Sequence, residues 1–248
     1  MNRTSTFTVV VAVLAHAVTA VSAADWTQFR GPGGLGISSD KNVPTSWSST
    51  ENIVWKAEMP GPGASCPITL KDKVFVTCYS GYGLEAAQGE QENLVRHLLC
   101  LKRSDGDVIW HRKIEPALPE HKYQGEGSYH GYAASTPVTD GERLYVFFGK
   151  SGVFCFDLDG EQLWRADVGD RTSGWGSGCS PLLYKDVVII NASVESGSLI
   201  ALGKATGEEA WRTNGIGSAW NTPMLVPGKE RTELVVSAQD HVVSLSPD

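Results

Sequence analysis

The chain has 248 residues, 41% hydrophobic and 20% charged, which supplies a packed core and excludes a disordered polymer. Its 28 acidic and 21 basic residues leave a formal charge of −7, which argues against nucleic acid or an anionic membrane surface as a partner. With 27 glycines, 12 prolines, 8 tryptophans and few helix-period runs, it reads as an all-β chain of short strands and turns.

Residues 1–23 read as a secretory signal peptide. Arg3 gives a basic start, an apolar stretch runs from Phe7 to Val21, and Val21-Ser22-Ala23 places small residues ahead of a cleavage point at Ala24. The stretch falls short of the roughly 20 residues that span a bilayer, and no later segment reaches that length. A periplasmic or secreted location is therefore expected. The first cysteine is Cys66, far from the cleavage point, so no lipid anchor is expected.

From residue 24 onward one unit recurs. The first copy starts at Ser65-Cys66-Pro67, passes Val74-Phe75-Val76 and Leu98-Leu99-Cys100-Leu101, and closes at Asp105-Gly106 and Trp110. The second runs from Ser135-Thr136-Pro137 through Leu144-Tyr145-Val146 and Val153-Phe154-Cys155-Phe156 to Asp159-Gly160 and Trp164. The third runs from Cys179-Ser180-Pro181 through Val187-Val188-Ile189-Ile190 and Leu199-Ile200-Ala201-Leu202 to Thr206-Gly207 and Trp211. A fourth starts at Asn221-Thr222-Pro223 and reaches Leu245. Ahead of them, Trp55 in Asn52-Ile53-Val54-Trp55 looks like the fourth strand of an earlier blade.

A period near 40–45 residues built of short apolar strands predicts a β-propeller of four-stranded antiparallel blades. About three complete blades plus parts are present. The first interval is stretched by insertions over residues 81–92 and 115–129. Each anchoring proline fits the first residue of an innermost strand, where its missing N–H costs little. The Asp-Gly and Thr-Gly pairs fit the turn between third and fourth strands. Trp110, Trp164 and Trp211, with Trp55, are expected to close the gaps between blades. A closed ring of seven or eight blades needs about 300–360 residues at this period. The chain therefore reads as an N-terminal fragment with C-terminal blades missing.

Five cysteines, with no C-x-x-C pair, give no support to zinc. Cys100 and Cys155 hold matching strand positions and read as small buried hydrophobes. Cys66 and Cys179 lie in similar pre-strand loops, and their pairing stays open.

The segments Cys100-x5-Gly106-x3-Trp110 and Ala201-Leu202-Gly203-Lys204-Ala205-Thr206-Gly207-Glu208-Glu209-Ala210-Trp211 resemble the tryptophan-docking motif of the PQQ-like (quinoprotein dehydrogenase-like) β-propeller repeat, A-x-D-x-x-T-G-x-x-x-W. Lys102 and Gly203 replace the motif's Asp; the second copy keeps it as Asp157 but is one residue shorter. Asp25-Trp26-Thr27-Gln28-Phe29-Arg30-Gly31-Pro32 is similar to the start of bacterial secreted members. The family contains quinone-dependent dehydrogenases and outer-membrane assembly scaffolds, so the resemblance implies two functions. One is an exported, non-catalytic binding or scaffolding module whose partner is a periplasmic or extracellular protein or a small ligand. The alternative is a PQQ- and calcium-dependent alcohol or sugar dehydrogenase, with the cofactor stacked on a tryptophan floor and an Asp as base. The chain lacks the adjacent cysteine pair of many such alcohol dehydrogenases. No Glu/Asn/Asp set matches the family's calcium ligands residue by residue. No catalytic residue, metal or cofactor is assigned.

Other motifs have plainer readings. Gly31-Pro32-Gly33-Gly34-Leu35-Gly36 matches G-x-G-x-x-G without the strand and helix that a dinucleotide site needs, and reads as a flexible leading loop. His97, His111, His121 and His130 show no metal spacing and read as surface or loop residues. Asp157-Leu158-Asp159-Gly160 reads as a hairpin turn rather than a calcium loop. Asn191-Ala192-Ser193 is a glycosylation sequon that matters only in a eukaryotic secretory pathway. The candidate ligand-binding residues are Tyr129, His130, Tyr132, Trp175, Trp220 and Asn221, in loops that enter the inner strands and open onto one mouth of the channel. Such aromatics can form a stacking surface; the competing reading is packing between blades.

Overall fold

The computed structural model describes residues 24–41, 43–84, 89–122 and 130–248. The expected signal peptide and Tyr129 lie outside the described residues. The first sheet contains β1 (Ile68–Leu70), β2 (Lys73–Ser80), β3 (Val95–Lys102) and β4 (Val108–Ile114). The second contains β5 (Val138–Thr139), β6 (Arg143–Phe147), β7 (Val153–Asp157) and β8 (Gln162–Ala166). The third contains β9 (Leu182–Tyr184), β10 (Val187–Ala192), β11 (Ser198–Gly203) and β12 (Glu209–Asn214). The fourth contains β13 (Met224–Pro227), β14 (Thr232–Ser237) and β15 (Val242–Leu245). Every pairing is antiparallel and sequential, as in propeller blades. Each anchoring proline stands one residue before its innermost strand rather than inside it.

The middle strands are apolar on both faces because each blade is packed on two sides. In β6, Leu144 and Val146 join Phe75, Leu98 and Cys100 of the first blade. The alternate residues Tyr145 and Phe147 join Val188, Ile190 and Ile200 of the third. A strand period of two thus feeds two separate cores, and no polar face remains. Ile189, Leu199 and Ala201 continue the series against Leu234 and Val236 of the fourth blade.

The tryptophans tie one blade to the next. The indole Nε1 donates to a backbone carbonyl in the following turn: Trp55 to Arg103 at 2.9 Å, Trp110 to Leu158 at 3.0 Å, Trp164 to Lys204 at 2.9 Å and Trp211 to Pro247 at 3.1 Å. The turn glycine forms the floor under the ring. A Cβ on Gly106, Gly160 or Gly207 would lie 2.5, 2.8 or 2.6 Å from Trp55, Trp110 or Trp164. All three glycines have positive φ, so both space and backbone exclude a side chain there. Trp55 docks like the others, although residues 52–57 pair with no strand among the described residues.

The leading segment enters the channel. Trp26 and Thr69 exchange both backbone hydrogen bonds, and the N–H of Thr139 donates to the carbonyl of Thr27 at 3.0 Å. Residues 25–27 therefore bridge the innermost strands of the first two blades. The glycine-rich stretch after them is a hydrogen-bonded turn rather than a loose loop. Its Gly36 N–H donates to Arg30 O at 2.7 Å, and Gly31 lies flat under the Trp26 ring.

Cys100 and Cys155 are fully buried, and burial pushes both thiols up to about 12. The Asp157 carboxylate accepts from the N–H groups of Asp159 and Glu161, which makes that motif a turn. His97 is not a surface or loop residue: it lies in β3, 3% exposed, bonded to Ser80 and to His111 of β4. Asn191 is 1% exposed in β10, with its amide given to the carbonyls of Ala219 and Asn221, so the sequon is closed to a glycan.

Candidate functional site

The residue before each anchoring proline builds an inner ladder. Cys66 N–H donates to Thr136 Oγ1 at 2.9 Å, Thr136 N–H to Ser180 Oγ at 3.0 Å, and Ser180 N–H to Thr222 Oγ1 at 2.9 Å. Each step crosses to the next blade, over 70, 44 and 42 residues. A hydroxyl that accepts from an N–H still holds its own O–H hydrogen. Thr136 and Ser180 line a cleft of about 440 Å³.

That cleft arises from a break in the repeat. Three residues before the anchoring prolines stand Ala64, Ala134, Gly178 and Trp220, and all four line it. The small side chains in the first three blades leave room, and the indole of the fourth closes one side. Trp220 is held there by Nε1 donating to Gly176 O at 2.9 Å. Trp175 and His130 complete the aromatic wall, their ring centroids 6.4 Å apart in an edge-to-face arrangement. Phe29, brought in by the leading segment, supplies another ring. Trp175 is 53% exposed and Trp220 39%, whereas Trp110 and Trp164 are 9% exposed.

The structure thus brings together His130, Trp175 and Trp220. It sets Tyr132 apart, buried between Tyr79, Tyr82 and His121, with its hydroxyl donating to His121 O at 2.7 Å. Asn221 faces β14, where its amide and carbonyl oxygen bond the backbone of Ser237.

Behind the cleft lies a buried polar cluster with no counterpart among the sequence-predicted site residues. Arg96 uses its whole guanidinium: Nε to Tyr132 O at 2.9 Å, Nη1 to Ser151 Oγ, and Nη2 to Glu120 Oε1 at 2.6 Å. Both members of this ion pair are at least 96% buried by side chain. Next to it, Glu195 is 1% exposed and accepts from Ser177 Oγ, while its Oε2 has no hydrogen-bond partner. Burial, then the nearby Glu120 charge, push its carboxyl up to about 7, against lowering by Ser177 and Arg171. Glu195 also takes Arg171 N–H on its backbone oxygen, so it grips both ends of the 171–177 loop that carries Trp175.

With this geometry in place, residues 96–247, more than half of the chain, match the model of a family described as outer membrane protein assembly factor BamB. The chain belongs to this family of PQQ-like β-propeller repeats. A comparison with curated proteins finds no match. Among solved structures, the chain is similar to the quinohemoprotein alcohol dehydrogenase of Comamonas testosteroni. That match has a TM-score of 0.57 and 13% identity over 86% of this chain and 35% of that one. A quinohemoprotein alcohol dehydrogenase of Pseudomonas putida aligns at TM-score 0.50 and 17% identity, over 75% of this chain and 30% of that one. BamB from Moraxella catarrhalis aligns at TM-score 0.44 and 15% identity, over 73% and 57%. The chain spans about a third of the length of the two dehydrogenases it matches. At these identities the likeness defines the fold.

Among the described residues no helix is long and apolar enough to cross a membrane.

Proposed function

We propose that this chain is an exported binding module of the PQQ-like propeller family, and that the cleft at its inner mouth takes an uncharged aromatic or apolar group. The observation that carries this reading is the lining: Phe29, His130, Trp175 and Trp220 as rings, with the hydroxyl-bearing Thr136 and Ser180 beside them. Rings contribute stacking area, and the two O–H groups favour an occupant bearing hydrogen-bond acceptors. A short peptide with an aromatic side chain has both. The family description, an outer-membrane assembly factor, agrees with a protein partner.

The dehydrogenase reading fits this cleft less well. A calcium-held quinone calls for anionic oxygens at the ion and a carboxylate base. Among the described residues, the lining contains no Asp or Glu. Among the described residues no group of three or more His, Cys, Asp or Glu side chains is placed to hold a metal.

A fluorescence titration tests the choice. Short neutral peptides carrying Phe, Tyr or Trp should shift or quench the chain's tryptophan emission. The Trp175→Ala, Trp220→Ala double variant should lose that response and keep its unfolding transition. Saturable binding of PQQ with Ca²⁺, accompanied by dye-linked oxidation of an alcohol or sugar, would overturn the non-catalytic reading. A peptide response unchanged in the double variant would remove the cleft as the site.

A further inference from the structure

Residues 171–177 form a strap between β8 and β9 and carry Trp175 to the cleft. One residue fastens the strap at both ends. At its start, Arg171 gives its backbone N–H and its Nε to the main-chain oxygen of Glu195, at 3.2 and 3.3 Å. At its end, Ser177 Oγ donates to Glu195 Oε1. Glu195 is 1% exposed, and its Oε2 has no hydrogen-bond partner.

The charged neighbours leave this carboxyl short of a cation. Arg171 gives its guanidinium to the main-chain oxygens of Glu195 and Ser193. Arg96 is paired with Glu120, which His121 also approaches at 3.8 Å. Glu120 acts on Glu195 as a like charge, and the buried Cys179 thiol beside them is kept protonated by burial and then by Glu195. Lys150 lies on the turn 149–151, whose backbone presses on the pair. A Cβ on Gly149 would stand 2.6 Å from Ser177 Oγ and 3.3 Å from Glu195 Oε1. The space under the strap, lined by Gly149, Lys150, Thr172 and Ser177, is about 20 Å³, room for about one water. One water does not hydrate a carboxylate. Backbone closes the Gly149 side, so the strap is the side that can yield.

Building on the reading of the cleft as a peptide site, we propose that Glu195 is a proton-controlled catch. Its neutral carboxyl keeps the strap down and Trp175 on the cleft wall; its ionisation frees the strap, so the cleft holds an aromatic peptide more tightly in mild acid than at neutral pH. With the strap down, burial and then the Glu120 charge push the carboxyl up to about 7. With the strap lifted, water reaches it and it returns towards its ordinary 4.5. The closed state thus holds a proton that the open state has released to solvent. Opening is favoured as pH rises through that window and levels off above it.

Hydrogen exchange of the amides of residues 171–177, corrected for the intrinsic rate at each pH, reads the opening directly. The opening constant should rise about tenfold or more between about pH 5 and about pH 7, then level off. Glu195→Gln keeps an acceptor for Ser177 and carries no charge, so it should show no such rise. Ser177→Ala removes the fastening and should exchange faster than the parent at the acid end. Affinity for a neutral aromatic peptide is measured with a chelator present, so that no divalent cation takes the proton's place. It should fall about threefold or more over the same window in the parent and stay level in Glu195→Gln. That comparison also separates Glu195 from His130 in the cleft wall. Exchange flat with pH, a rise that survives Glu195→Gln, unaltered exchange in Ser177→Ala, or a measurable peptide affinity that ignores pH would each overturn the proposal. A strap that opens with pH in a chain that binds no peptide at any pH would instead remove the cleft as a peptide site and leave the catch standing.

Discussion

Two sets of tryptophans divide the molecule. Trp55, Trp110, Trp164 and Trp211 recur in phase, lie at blade junctions and each give their N–H to a carbonyl in the next turn. Trp175 and Trp220 lie six and three residues before the prolines of their blades, at unmatched positions of the repeat; they stand partly in solvent and wall a cleft. The same side chain thus serves as joint in one set and as surface in the other. What separates them is the neighbour: a glycine floor with no Cβ encloses Trp55, Trp110 and Trp164, while small residues at Ala64, Ala134 and Gly178 leave the second set open. Features that repeat build the fold, and a position that departs from the repeat creates the candidate site.

The comparison can be broken first at a joint. Trp164→Ala should cost about 3–5 kcal/mol, the range for a large buried ring lost from a core, read as a shift in the denaturant midpoint. Removing Glu120 as Glu120→Ala leaves Arg96 charged and buried, and should cost about 3 kcal/mol by the same measurement. Gly207→Ala forces a Cβ to 2.6 Å from Trp164 at φ +74, and should cost more than about 1 kcal/mol. In the Trp164→Ala background that cost should shrink, because the clash is gone while the φ penalty stays.

Acid–base behaviour sharpens the contrast at the loop behind Trp175. Glu195 ionises near pH 7 in the folded chain, against 4.5 as its ordinary value. The folded state therefore holds a proton that the unfolded state has released, and stability should fall as pH rises from about 4.5 to about 7. Glu195→Gln should flatten that part of the pH profile of the unfolding midpoint. His97, lowered to about 4 mainly by burial and then by His111 and Lys113, works in the other direction. It takes up its proton more readily when unfolded, so stability should fall as pH drops from about 6.5 towards 4. At the small end, Trp175→Ala should change stability by no more than about 0.5 kcal/mol, as an exposed side chain, while weakening the peptide response of the cleft.

Much of the fold was legible because its signals are phased. Pro67, Pro137, Pro181 and Pro223 mark the blades, and glycine four residues before tryptophan marks each turn. The pairing of a tryptophan with the next blade's glycine was not, since the partners lie about fifty residues apart. The hydroxyl ladder stood in plain view one residue before each proline, but its meaning depends on how adjacent blades meet. Arg96 had a signal: a charged residue beside His97 at the head of the apolar run Leu98 to Leu101 demands a buried partner. Glu195 had none, because Ser193–Gly197 has ordinary turn composition. His97 and His111 meet across a strand pair, so their spacing is set by the turn between β3 and β4 and not by any ligand motif.

The segment at residues 25–27 has a consequence for the order of events. Its partners are Thr69 on β1 and Thr139 on β5, 70 residues apart in the sequence. The pairing with Thr69 needs only the first blade, but the bond from Thr139 can form only when the second blade stands beside it. A segment that precedes both blades in the sequence thus gains its second partner only after the second blade has formed. It acts as a latch drawn across the first two blades, so their junction is held by a strand that belongs to neither.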